Sequence, residues 1–112
     1  MTLDVYFQEN RDRWIKGKDL ADILEIQERE VRDRVKSFNL FLVQSGSKAI
    51  VCSNNGRPNG YNLTDNPKII NRYRLQQRAL AQGIHQNERF AEIVLKRHRT
   101  IEVQELFNER AN

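Results

Sequence analysis

Three groups of cations stand at spacings that could do chemistry. Arg29, Arg32 and Lys36 are three and four residues apart, so a helix through them would gather all three on one side, with Gln27 just ahead. Arg57 lies in the polar stretch Ser53–Gly60 together with Asn54, Asn55 and Asn59, and Arg72, Arg74 and Arg78 follow further on. A guanidinium presents a planar fork of donors that fits two phosphate oxygens or the acceptor edge of guanine, whereas an ammonium acts as a point charge. Glu28, Glu30 and Asp33 are interleaved with the first group and would repel a polyanion. A solvated helix face of alternating charge is therefore the competing interpretation of residues 28–36.

Other chemistries find little to work with. There is no glycine-rich phosphate loop, and the only two histidines, His85 and His98, lie thirteen residues apart in a charged segment, His85 expected to pack and His98 to face solvent. Cys52 is the one cysteine, so an intrachain disulfide is impossible, and its apolar neighbours suggest a small core residue rather than a nucleophile. Metal binding would need a cluster of such ligands. The expectation is a protein with no catalytic residues, no metal and no cofactor.

The net charge of +4 is unevenly spread over the 112 residues. Residues 1–66 carry ten basic and ten acidic side chains, while residues 67–112 carry nine against five. No apolar run is long enough for a bilayer, so no membrane partner is expected. The N-terminus lacks the basic and apolar stretches of a secretion signal, which suggests a cytoplasmic protein.

The elements that must position the cations follow from periodicity. Leu3, Tyr6 and Phe7 suggest a short first helix, broken at Asn10-Arg11-Asp12. Leu20, Ile23 and Leu24 form one helical stripe; Val31, Val35 and Phe38 form a second, with Ile26 in the turn between and small Ala21 allowing close approach. On the second helix these apolar positions place Arg29, Asp33 and Lys36 on the opposite side, with Arg32 beside them. Residues 40–64 read as strands: the run Leu40-Phe41-Leu42-Val43, then Ile50-Val51, a long polar tip, and Tyr61-Asn62-Leu63. Asp65-Asn66-Pro67 supplies caps and a first-turn proline, so a further helix should begin there.

From Lys18 through the second stripe, and on through Ile50-Val51 and Gly60-Tyr61-Asn62-Leu63-Thr64, the chain resembles the winged helix-turn-helix family, which includes small bacterial and phage regulators. Trp14-Ile15 falls where that family places a short strand pairing with the wing. Two positions depart from the pattern: Glu25 stands where glycine is frequent, and Gln27 where Ser or Thr commonly caps. The resemblance implies a mainly α fold with a small β-hairpin and a C-terminal helical extension, divided into residues 1–66 and 67–112. It also implies a double-stranded DNA-binding protein, either a transcriptional regulator or a replication-associated factor. Gln27, Arg29, Arg32 and Lys36 would then serve the groove and phosphates. Asn54, Asn55 and Arg57 would sit at the wing tip, either entering a minor groove or simply making a good turn, and Arg72, Arg74 and Arg78 would add charge. The alternative is a protein-protein adaptor on the same fold, because a fold does not fix function.

Beyond Pro67, the positions Ile69, Ile70, Tyr73, Leu80, Ile84, Ala91 and Val94 keep a helical period. A helix this long has a surplus apolar face, so a homodimer through this segment is expected. A break at Gly83 would instead let two shorter helices complete their own core. Ile101, Val103, Leu106 and Phe107, beside Glu102, Glu105 and Glu109, suggest a final amphipathic helix or an interaction segment.

Overall fold

In the computed structural model the backbone is described for residues 1–80 and 86–110, and the side chains for residues 1–79 and 87–99. The described residues form five helices and a small two-stranded antiparallel sheet. In chain order these are α1 (Leu3–Glu9), α2 (Gly17–Leu24), α3 (Glu28–Gln44), β1 (Ile50–Asn54), β2 (Gly60–Thr64), α4 (Pro67–Leu80) and α5 (Gln86–Arg110). None of the described helices is long and apolar enough to cross a membrane. The expected break at Gly83, together with Ile84 and His85, lies outside the described residues, as do the side chains of Leu80, Ile101, Glu102, Val103, Glu105, Leu106, Phe107 and Glu109.

The hairpin is the middle layer. Its register pairs Ile50 with Thr64, Val51 with Leu63, Cys52 with Asn62 and Ser53 with Tyr61. Successive residues of a strand point to opposite faces. Val51 and Leu63 accordingly enter a first core with Leu3, Phe7, Ile15, Leu20, Val31, Val35 and Phe38, whereas Ile50 and Cys52 enter a second with Ile70, Tyr73, Phe90, Ala91 and Val94. Burial on both faces explains the unbroken apolar run Ala49–Cys52, which an exposed hairpin would not tolerate.

The chain between α1 and α2 continues the sheet on the far side of β2. Ile15 and Tyr61 exchange both backbone hydrogen bonds at 2.8 Å, and Asp12 N–H donates to the Leu63 carbonyl at 2.9 Å. This is the short pairing expected at Trp14-Ile15, and alternation again divides the side chains: Ile15 joins the first core, and Trp14 packs on the second. The close approach requires Gly60, where φ is +123° and a Cβ atom would stand 2.2 Å from the Ile15 carbonyl oxygen.

Leu40-Phe41-Leu42-Val43 is not a strand: it forms the last turns of α3. A four-residue apolar run does not distinguish strand from helix by itself. Leu42 extends the stripe of Val31, Val35 and Phe38 by another turn and is buried with them, whereas Leu40 and Phe41 are exposed. The stop comes at Gly46, left-handed at φ +79°, with Ser47 N–H donating to the Leu42 carbonyl (3.0 Å) and Gly46 N–H to Val43 (3.3 Å). This paired-bond ending is the glycine-terminated helix stop that Ser45-Gly46 encodes. α2 ends by the same pattern, Ile26 N–H to Ala21 and Glu25 N–H to Asp22, but with Glu25 as the left-handed residue at φ +55°.

At its other boundary, the helix start predicted at Asn66-Pro67 is present, with the Asn66 side chain accepting from Lys68 N–H at 3.0 Å. α4 and α5 then pack on each other and on the hairpin. Of the apolar positions that suggested a surplus face, Ile70, Tyr73, Ala91 and Val94 are buried within the chain itself. The doubled-back alternative for this segment is the one observed, and the homodimer argument loses those four residues.

Candidate nucleic-acid interface

The first half of α3 is positioned by Val31, fully buried, and Val35, nearly so. With these turned inward, helical rotation carries Arg29 and Lys36 to the opposite side and Arg32 to its flank, and all three are exposed. None of the three makes an ion pair among the described residues, in contrast to Arg34, whose guanidinium lies 3.9 Å from Glu30 one turn away. Glu28, Glu30 and Asp33 are exposed on the same stretch. Gln27 precedes the helix in extended conformation, and its side chain makes no capping hydrogen bond.

The hairpin meets this face through Tyr61. Its ring lies against Gly17 at the start of α2, and its hydroxyl feels both Arg32 and Glu28. Half-burial raises the Tyr61 pKa above the usual tyrosine value; the Arg32 charge pulls it down and the Glu28 charge adds to the rise. The start of β2 and the first turns of α3 are thus electrostatic neighbours.

The loop that leads into β2 is organised by its asparagines. Asn54 donates to the Pro58 carbonyl at 2.8 Å and accepts from Gly56 N–H at 3.4 Å, and the Asn59 amide donates to the Asn55 carbonyl at 3.4 Å. Asn54 therefore shapes the loop, and Asn55 contributes its backbone to the same purpose. Arg57 is exposed at the tip and makes no ion pair among the described residues.

The three arginines of α4 are differently placed. Arg74 donates twice to Asn71 (3.2 and 3.0 Å) and lies 3.7 Å from Glu92, while Arg78 lies 3.9 Å from Glu88. Both face α5. Arg72 is exposed. Of the two histidines, His98 has its Nε2 3.1 Å from the Lys48 carbonyl. Burial pushes the Cys52 thiol up to about 12, so it stays a neutral core group at physiological pH. Tyr73, buried in the same core, is likewise raised, chiefly by burial.

Two contributors escaped the sequence reasoning. Asn39, buried on α3, accepts from Val51 N–H at 2.8 Å and donates to the Val51 carbonyl at 3.0 Å, as a neighbouring strand would. Its signal was a polar residue four positions after Val35, on the inward side of the stripe. Tyr61 was visible only as a strand residue, because nothing in its spacing points to Arg32.

No protein-family model, no curated protein and no solved structure matches this chain. The functional reading rests on the geometry above.

Proposed function

We propose that the chain is a non-enzymatic double-stranded DNA-binding protein. It would use a winged helix-turn-helix in which α2 and α3 are the helix pair, β1–β2 is the wing, and Ile15 supplies the short pairing strand. A bacterial or phage regulator, or a replication-associated factor, is the corresponding role, carried out in the cytoplasm. The observation that carries the reading is the outward face of α3: three exposed cations that make no ion pair among the described residues, on a helix packed against β1 of the hairpin whose tip exposes Arg57. On a duplex, Arg29 and Arg32 would reach base edges or phosphates, Lys36 a phosphate, and Arg57 a minor groove. Arg74 and Arg78 take part only by leaving Glu92 and Glu88, so four cations form the minimum set.

Fluorescence anisotropy with a random-sequence 25-base-pair duplex tests this. Each phosphate neutralised contributes about −0.9 to the slope of log affinity against log salt, so a slope of about −4 is expected. Arg57→Ala should weaken binding most on A·T-rich duplexes, where the minor groove is narrow and most negative. Failure to bind any duplex at low salt would refute the reading.

A specific observation favours the adaptor as the second reading. Phe41 is 60% exposed beside a groove of about 440 Å³ between α1 and α3, rimmed by Asp4, Asp33 and Arg34. A predominantly acidic, part-apolar groove suits a protein better than DNA. Loss of duplex binding together with retained solubility would move attention there.

A further inference from the structure

Among the described residues, the hydrogen bonds that tie α3 to β1 and α5 lie beyond its midpoint. Asn39 grips the edge of β1, as described. From α5, fifty and more residues away in sequence, the Arg97 guanidinium donates to the Val43 carbonyl at 2.8 Å and to the Ser47 carbonyl at 2.7 Å. His98, the next residue, stands against the Lys48 carbonyl. The first half of α3 is held through Val31 and Val35. Apolar contacts of that kind oppose separation but are not directional, so they resist rotation about the helix axis or a slide along it only weakly. A guanidinium bonded to two carbonyls fixes both distance and plane.

The carbonyls it takes are well chosen. Val43 belongs to the last turn of α3, where carbonyls have no intrahelical partner and the helix dipole presents its negative end. The Gly46 N–H reaches Val43 only at 3.3 Å, and the Ser47 carbonyl has no other hydrogen bond among the described residues. With its donors turned inward, Arg97 leaves the pool of surface cations.

We infer that Arg97 is a positioning residue for the α3 face. From α5 it sets the axial rotation and register of α3, and so where Arg29, Arg32 and Lys36 stand relative to Arg57. The C-terminal helices are on this account part of the binding unit rather than an appendage. The inference rests on the DNA-binding reading above, but part of its test is independent of DNA.

Arg97→Ala and Arg97→Lys would be compared with the unaltered chain well below their melting temperatures, so that every sample is folded. Three quantities are read: duplex affinity, its salt slope, and hydrogen exchange of the Gly46 and Ser47 amides. Arg97→Ala should weaken binding about tenfold and speed exchange at both amides, as expected for loss of charged hydrogen bonds. Its slope should not change, because Arg97 neutralises no phosphate. Arg97→Lys should recover part of the affinity, since one ammonium reaches a carbonyl without the fork. If Arg97→Ala does not fold, Arg97→Lys and Arg97→Gln carry the same comparison with smaller expected changes. Unaltered affinity in the folded variants would mean that the arginine only stabilises, and a slope flatter by about one unit would place it on a phosphate; either overturns the inference. If the unaltered chain binds no duplex, the reading of the α3 face fails separately. Exchange then decides the tether alone: unchanged protection at Gly46 and Ser47 in Arg97→Ala would overturn it.

Discussion

Residues 28–36 and 37–44 are successive halves of one helix, and different forces hold them. The first half buries Val31 and Val35 and turns outward Arg29, Arg32 and Lys36, which make no ion pair among the described residues. The second buries Phe38, Asn39 and Leu42, and is tied to β1 by Asn39 and to α5 by Arg97. The turns at the two ends differ in the same sense. α3 is entered through a left-handed glutamate, Glu25, and left through a left-handed glycine, Gly46. The contrast teaches that burial and directional bonding are concentrated where the helix is anchored to other elements, and exposed charge where it faces solvent.

The largest expected effect breaks the anchored half. Asn39→Ala strands both backbone groups of Val51 without partners in the core, and each buried orphan is expensive. The loss should be roughly 2–4 kcal/mol, measured by urea unfolding. A loss below 1 kcal/mol would mean that the side chain fills space rather than completing the sheet edge.

The turns should respond oppositely and more modestly. A Cβ at Gly46 meets nothing within 4 Å, so Gly46→Ala tests backbone strain alone and should destabilise by about 1 kcal/mol. Glu25→Gly relieves the same strain at the entrance and should stabilise by up to about 1 kcal/mol, less the entropy that glycine brings to the unfolded chain. Equal signs for the two substitutions would remove the contrast between entrance and exit. Smallest of all should be the stability change for Arg29→Ala or Lys36→Ala, within about 0.5 kcal/mol, because both side chains are exposed and neither makes an ion pair among the described residues. A larger loss would make those cations structural.

Much of this was legible in the residues. The stripe of Val31, Val35 and Phe38 oriented α3, and the β-branched Ile50-Val51 followed by an asparagine- and glycine-rich tip located the hairpin. Asn66-Pro67 announced α4. The error at Leu40–Val43 arose because a short apolar run has no period of its own, and the deciding signal was the Ser45-Gly46 stop rather than the run. The partners of Arg97 and Tyr61 were illegible for another reason. Their contacts join positions that only tertiary packing brings together, and a guanidinium bonded to carbonyls looks in sequence like one that faces solvent. The apolar face of α4 likewise looked surplus until α5 folded onto it.

The central claim is that the free half of α3 meets the DNA backbone and bases. The salt dependence of duplex affinity, compared between the unaltered chain and the Arg29→Ala/Arg32→Ala/Lys36→Ala variant, tests it most directly. Removing the three cations should take up to about 2.7 units from a slope of about −4, the full amount where all three meet phosphates and less where Arg29 or Arg32 reads a base edge, with melting temperature nearly unchanged. A folded variant that keeps both the affinity and the slope of the unaltered chain would contradict the account.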